Sequence, residues 1–197
     1  MKKQLLLALA LAAAPFAASA NDLSYTYVEG SLARMNLDLD GFGDVDFDGG
    51  QLRGSVKVAD ALYLFGGYGR VRNDDAGIDI DFNESQFGLG FRAPVGAGAD
   101  FIAEIGLVRQ EIKAVGERDH ADGGRLSLGF RGQSGGTLEG WVKGSYNDGG
   151  DFDGDFSATL GAQLKFNPTW GLVAEIEHGD LGDLELTRYS VGVRASF

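Results

Sequence analysis

From residue 23 to the C-terminus, apolar side chains recur at every second position, and no stretch shows the three-to-four spacing of an amphipathic helix. Leu52, Gly54, Val56 and Val58 alternate with Gln51, Arg53, Ser55 and Lys57. Phe156, Ala158, Leu160, Ala162, Leu164 and Phe166 alternate with Ser157, Thr159, Gly161, Gln163 and Lys165. Tyr189, Val191, Val193, Ala195 and Phe197 alternate with Arg188, Ser190, Gly192, Arg194 and Ser196. Side chains of a strand point to opposite faces in turn, so each segment has one apolar and one polar face. The pattern predicts ten strands, over 23–36, 50–59, 61–72, 80–93, 99–113, 124–132, 137–147, 155–166, 170–178 and 185–197.

Two kinds of connection alternate between them. Residues 59–61, 94–99, 133–136 and 167–169 are short links, whereas 37–49, 73–79, 114–123, 148–154 and 179–184 are longer and rich in Asp and Gly. An even number of strands, tight turns at one end and longer loops at the other make an all-β, antiparallel transmembrane β-barrel the expected fold. Eight strands is the alternative count. A soluble β-sandwich would also alternate, with its polar face in water. The turn pattern favours the barrel, with short turns in the periplasm and acidic loops outside.

Residues 1–20 read as a secretory signal. Lys2 and Lys3 precede the apolar run from Leu5 to Ala14, and Ala18-Ser19-Ala20 supplies an A-x-A cleavage site before Asn21. The run is too short for a helical membrane anchor. Residues 21–197 then form one domain. The chain has no cysteine, which excludes a lipid-modified cysteine, disulfides and thiol chemistry. Its net charge of −12 argues against binding nucleic acid, whose phosphates need a basic surface.

Large aromatics gather beside the short turns: Tyr63, Phe91, Phe101, Phe130, Phe166, Trp170 and Phe197. This is the placement of an interfacial girdle. On the polar face the sequence places Arg53, Lys57, Arg70, Arg72, Arg92, Arg125, Arg131, Lys143, Lys165, Arg188 and Arg194, together with Glu84, Glu104, Glu139, Glu175 and Glu177. Charges turned into a narrow lumen must pair, so these residues predict a lumenal Arg/Lys–Glu network. They could instead line an anion-selective pore. Most of the acidic residues fall in or beside the long connections, which predicts an acidic outer rim.

Three further patterns bear on chemistry. Asp44, Asp46, Asp48 and Gly49 fill part of a calcium-loop pattern, but Ser55 stands where the bidentate Glu belongs. Asp151, Asp153 and Asp155 repeat the spacing, so these six carboxylates are candidates for weak divalent-cation binding or simply a solvated acidic surface. His178, near Glu175, Glu177 and Asp180, could form half of a water-activating pair at the barrel end, or be a solvated histidine. No nucleophile motif or phosphate loop is present, and no cofactor is expected.

The ending YSVGVRASF resembles the terminal strand of bacterial outer-membrane proteins. That resemblance implies recognition of Tyr189, Val191, Val193 and Phe197 by the barrel-assembly machinery. The segments SYTYVEG, LYLFGGYGR and GDFDGDFSATLGAQLKFNPTWG resemble small xanthomonad outer-membrane proteins, a family identified as secreted activators of quorum sensing and plant immunity. More widely the chain is similar to OmpX-like barrels and the OmpA membrane domain, which implies adhesion or host interaction. The resemblance implies a non-enzymatic role in envelope integrity or surface interaction, with outer-membrane lipid and lipopolysaccharide as surroundings. A narrow solute pore and an outer-membrane hydrolase are the alternatives.

Overall fold

The computed structural model describes residues 23–39, 43–73, 80–114, 117–181 and 184–197. The signal segment and Asn21 lie outside the described residues. Ten strands form a closed antiparallel barrel: β1 (Tyr27–Leu39), β2 (Gly43–Lys57), β3 (Leu62–Asn73), β4 (Ile80–Gly96), β5 (Ala99–Ala114), β6 (Glu117–Ser134), β7 (Leu138–Gly149), β8 (Phe152–Lys165), β9 (Trp170–Leu181) and β10 (Leu184–Ser196). Each strand pairs with its sequence neighbours, and β1 pairs with β10 to close the ring. Ten strands, rather than eight, is the observed count.

One row of paired residues fixes the slant. From Lys113 in β5 it runs through Asp81, Arg72, Asp48 and Arg34 to β1. It continues through Tyr189, Ile176, Leu160, Val142 and Phe130, and returns to β5 at Phe101, twelve residues lower. A ten-strand barrel with this stagger tilts its strands by about 40°. Closure leaves no strand edge open, so each strand pairs on both sides, as a chain crossing hydrocarbon requires.

The strands are longer at their outer ends than the periodicity predicts. Residues 43–49 belong to β2 and 117–123 to β6, both expected as loop. Asp and Gly density signals a turn, but here the ladder continues, and charges pair across it. Asp122 on β6 lies opposite Arg109 on β5 and accepts from it at 2.6 and 2.7 Å.

Outward faces carry an apolar belt. Leu32, Leu52, Phe87, Ile105, Leu107, Leu126, Leu160 and Val191 are among its most exposed residues. Phe91, Phe166, Trp170 and Phe197 ring its periplasmic edge, as expected. Tyr68, Tyr146, Phe156 and Tyr189 form a second ring near its outer edge. Two aromatic girdles bounding an apolar belt are the surface a bilayer demands.

One strand is turned over relative to the sequence reading. In β3 the residues Tyr63, Val71 and Asn73 are buried inside, while Arg70 and Arg72 face out and are half exposed. Tyr63 is therefore a lumenal residue and not part of the girdle. Both faces of this segment carry bulky apolar groups, so alternation alone does not choose between them. The Tyr63 ring lies over Gly90, its register partner, where an added Cβ would come within 2.1 Å of the ring. Trp141 covers Gly161 in the same way, at 2.2 Å. These glycines make room for the two large rings inside a narrow barrel and pin the register.

Candidate functional site: a filled lumen beneath a charged rim

The lumen is built in three layers. At the periplasmic end, the segment before β1 folds into the barrel mouth. Leu23 and Tyr25 pack with Tyr63 and Ile102. Tyr25 stacks on Tyr63 with ring centroids 4.7 Å apart, and Arg92 and Arg131 lie over its ring. Its hydroxyl donates to Asp100 at 2.9 Å, and Arg92 donates to the same carboxylate at 3.1 Å. Ser24 donates to the Phe197 carbonyl at 2.8 Å, tying this floor to the last residue.

The middle layer is ionic. Glu29 accepts from Arg53 at 3.0 Å and Arg194 at 2.8 Å. Arg53 also donates to Glu175 at 2.6 Å, which accepts from the Trp141 indole at 2.7 Å. Arg194 lies over the rings of both Tyr27 and Trp141. Glu104 accepts from Tyr63 at 2.9 Å and Lys143 at 3.2 Å. Glu84 meets Arg125 at 3.4 Å and Arg188 at 3.5 Å, and Arg188 reaches Glu177 at 3.3 Å. Near the floor, Glu139 is fully buried between Arg131 and Lys165. Each carboxylate thus meets a cation, the condition on which buried charge is tolerated.

The outer layer is apolar again: Ala33, Met35, Phe47, Val71, Phe82 and Leu186 pack together, with Met35 wholly buried. Between the two closures lie cavities of about 70 Å³ and 50 Å³, lined by Arg53, Glu104, Lys143 and Glu175. They have room for a few waters each.

Most of the expected lumenal residues therefore converge: Arg53, Glu84, Arg92, Glu104, Arg125, Arg131, Glu139, Lys143, Glu175, Arg188 and Arg194. Arg70 and Arg72 do not. They face outward and both bond Asp81, at 2.9 and 2.8 Å, because β3 turns its other face inward. Lys57 sits at the periplasmic edge, paired with Asp60. Glu29, the hub of the network, was not among the expected lumenal residues. Its signal lay in SYTYVEG, where Glu29 shares parity with Tyr27 and Ser31, opposite Val28 and Leu32.

The candidate cation ligands are scattered. Asp46 accepts from Asn36 at 3.1 Å, and Asp48 from Arg34 at 2.7 and 2.8 Å. Asp151 accepts from the Asp122 amide at 2.9 Å, while Asp155 is buried. The side chains of Asp44 and Asp153 lie outside the described residues. Among the described residues, no cluster of three or more acidic or histidine side chains could hold a metal. His178 is exposed on β9 and its Nδ1 lies 2.9 Å from the Thr187 hydroxyl. Glu175 and Glu177 are on the opposite, lumenal face, whereas Asp180 shares the outward face of His178; the hydrogen-bond partner of Nδ1 is the Thr187 hydroxyl and not a carboxylate.

The outer rim is held by paired charges: Arg34 with Asp48, Arg70 and Arg72 with Asp81, and Arg109 with Asp122. Hydrogen bonds from Arg109 hold the Asp122 carboxyl below its ordinary range, and Arg34 does the same for Asp48.

Known proteins agree with this architecture. The barrel superposes on the crystal structure of neisserial surface protein A with a TM-score of 0.51 and 14% identity, covering 90% of this chain and 100% of that one. The β domain of the Bordetella autotransporter BrkA gives 0.54 and 12%, covering 88% and 100%. At such identities the likeness is one of fold. No curated protein matches the sequence. Residues 5–197 match the family described as the outer membrane protein beta-barrel domain, which covers nearly the whole chain. Closed barrel, apolar belt, twin girdles and this match together make the chain a member of that family, resident in the outer membrane of a Gram-negative bacterium.

Proposed function

We propose that this protein is a non-enzymatic, non-conducting barrel that acts in envelope integrity or surface interaction through its extracellular end. The observation that carries the reading is the filled lumen. An ionic layer lies between two apolar closures, and the cavities left inside hold only a few waters. An ion crossing it would have to displace Met35 and Phe47 at one end and Tyr25 at the other. Among the described residues the filled lumen argues against the pore alternative, and the Thr187 hydroxyl, rather than a carboxylate, at His178 Nδ1 argues against the hydrolase alternative. Outer-leaflet lipopolysaccharide is the surrounding partner in this reading. Tyr189, Val191 and Val193, outward on β10, and the exposed Phe197 that follows it serve as the signal for the assembly machinery.

Planar bilayers test this. Refolded protein should insert without discrete current steps. Reproducible steps that persist in purified, heat-modifiable barrels would make it a channel.

A further inference from the structure

The lipid-facing wall is not evenly convex. A groove of about 710 Å³ crosses it, bordered by Val95 and Ala99 near the periplasmic edge and by Tyr189 and Val191 towards the outer one. Its floor is one row of register partners with small side chains: Ala99, Gly132, Gly140, Ala162 and Ala174. The row above supplies one wall, with Phe130, Val142, Leu160, Ile176 and Tyr189. From the row below, Leu138 borders the groove. The groove follows the barrel stagger, so it descends obliquely through the apolar belt. Five steps between strands at about 4.8 Å make it about 24 Å long, close to one extended fatty-acyl chain.

The outer end meets a cation. Tyr189 is the register partner of Arg34, which stands at the upper edge of the belt. Arg34 uses Nε and Nη2 on Asp48, and its Nη1 donates to no acceptor among the described residues. Asp48 thus orients a guanidinium that retains a donor for a second anion.

We propose that this groove seats one acyl chain of an outer-leaflet phosphorylated glycolipid, with a headgroup phosphate at Arg34. The groove opens inside the apolar belt, where a water-soluble ligand has no access. Its outer end lies beside Arg34, the register partner of Tyr189, which selects an outer-leaflet lipid over an inner-leaflet one. A straight chain lying on a floor of Gly and Ala also gains contact with the row of Phe130, Val142, Leu160, Ile176 and Tyr189, which a convex wall cannot offer.

Native mass spectrometry tests this with bis-phosphorylated lipid A added to the refolded barrel in detergent. Wild type should retain one lipid A per barrel. Ala162→Phe with Ala174→Phe fills the groove from the lipid side and should weaken retention about tenfold, the weight of two buried methylenes. Ala103→Phe, outward but outside the groove, should retain the lipid. Arg34→Gln should weaken bis-phosphorylated lipid A and leave dephosphorylated lipid A unchanged. Heat-modifiable migration checks that each variant is folded. Equal retention by the filled-groove variant overturns the proposal. Equal competition by phosphatidylglycerol overturns the choice of glycolipid. A protein dimer lost on filling the groove assigns it to a second copy instead, and also overturns the proposal.

Discussion

The Tyr25 hydroxyl donates at 2.9 Å to Asp100, a buried carboxylate 75 positions along the chain. The bond joins a segment outside the barrel wall to the start of β5, and it makes Tyr25 the stopper of the periplasmic mouth. Tyr25→Phe removes the Tyr25 donor to Asp100, leaving that of Arg92, and should cost about 1–3 kcal/mol. Tyr25→Ala also removes the ring from the Tyr63 stack and should cost about 3–5 kcal/mol. Urea unfolding in lipid vesicles measures both. If neither variant differs from wild type, the segment is not part of the fold.

The inversion of β3 is open to a chemical test, since the chain has no cysteine to interfere. A single cysteine at Arg72 should react readily with a water-soluble maleimide, and one at the buried Val71 should be protected. The opposite result would restore the orientation expected from sequence.

Glu139 is wholly buried between Arg131 and Lys165. Glu139→Gln leaves the buried Arg131 and the partly buried Lys165 without their anion, and should destabilise the barrel by about 3–5 kcal/mol. By contrast, Lys57→Gln, at an exposed pair on the periplasmic edge, should change stability by about 0–1 kcal/mol. Comparable unfolding midpoints for the two variants would refute the lumenal network.

The rim should respond to acid. Asp122 is held below its ordinary carboxylate range by hydrogen bonding to Arg109. A carboxylate with a depressed folded value contributes stability above the ordinary value near 3.9, and that contribution disappears as pH falls through the lower folded value. Carbon-13 titration of Asp122 in micelles should therefore show a midpoint below about 3.9, and Arg109→Gln should raise it. A midpoint unmoved by Arg109→Gln would show the pair to be absent in solution.

The alternation by itself determined that this chain is sheet and which residues of β2, β8 and β10 meet lipid, and the alternation of short and long connections pointed to a barrel. In those strands one face is wholly apolar, so burial in hydrocarbon has a single answer. The Gly and Asp of residues 43–49 and 117–123 suggested loops, because local turn preference says nothing about a ladder partner such as Arg34 or Arg109. The tertiary structure decided the rest. In β3 both faces are bulky, and Tyr63 points inward because Gly90 on the adjacent strand leaves space for its ring. That choice sends Arg70 and Arg72 outward to Asp81. Glu29 becomes the hub of the lumen only when β1 closes against β10 and brings Arg194 to it from 165 residues away. Parity is a local property that sequence records, whereas which side is inside depends on which strand lies alongside, and only closure of the ring fixes that.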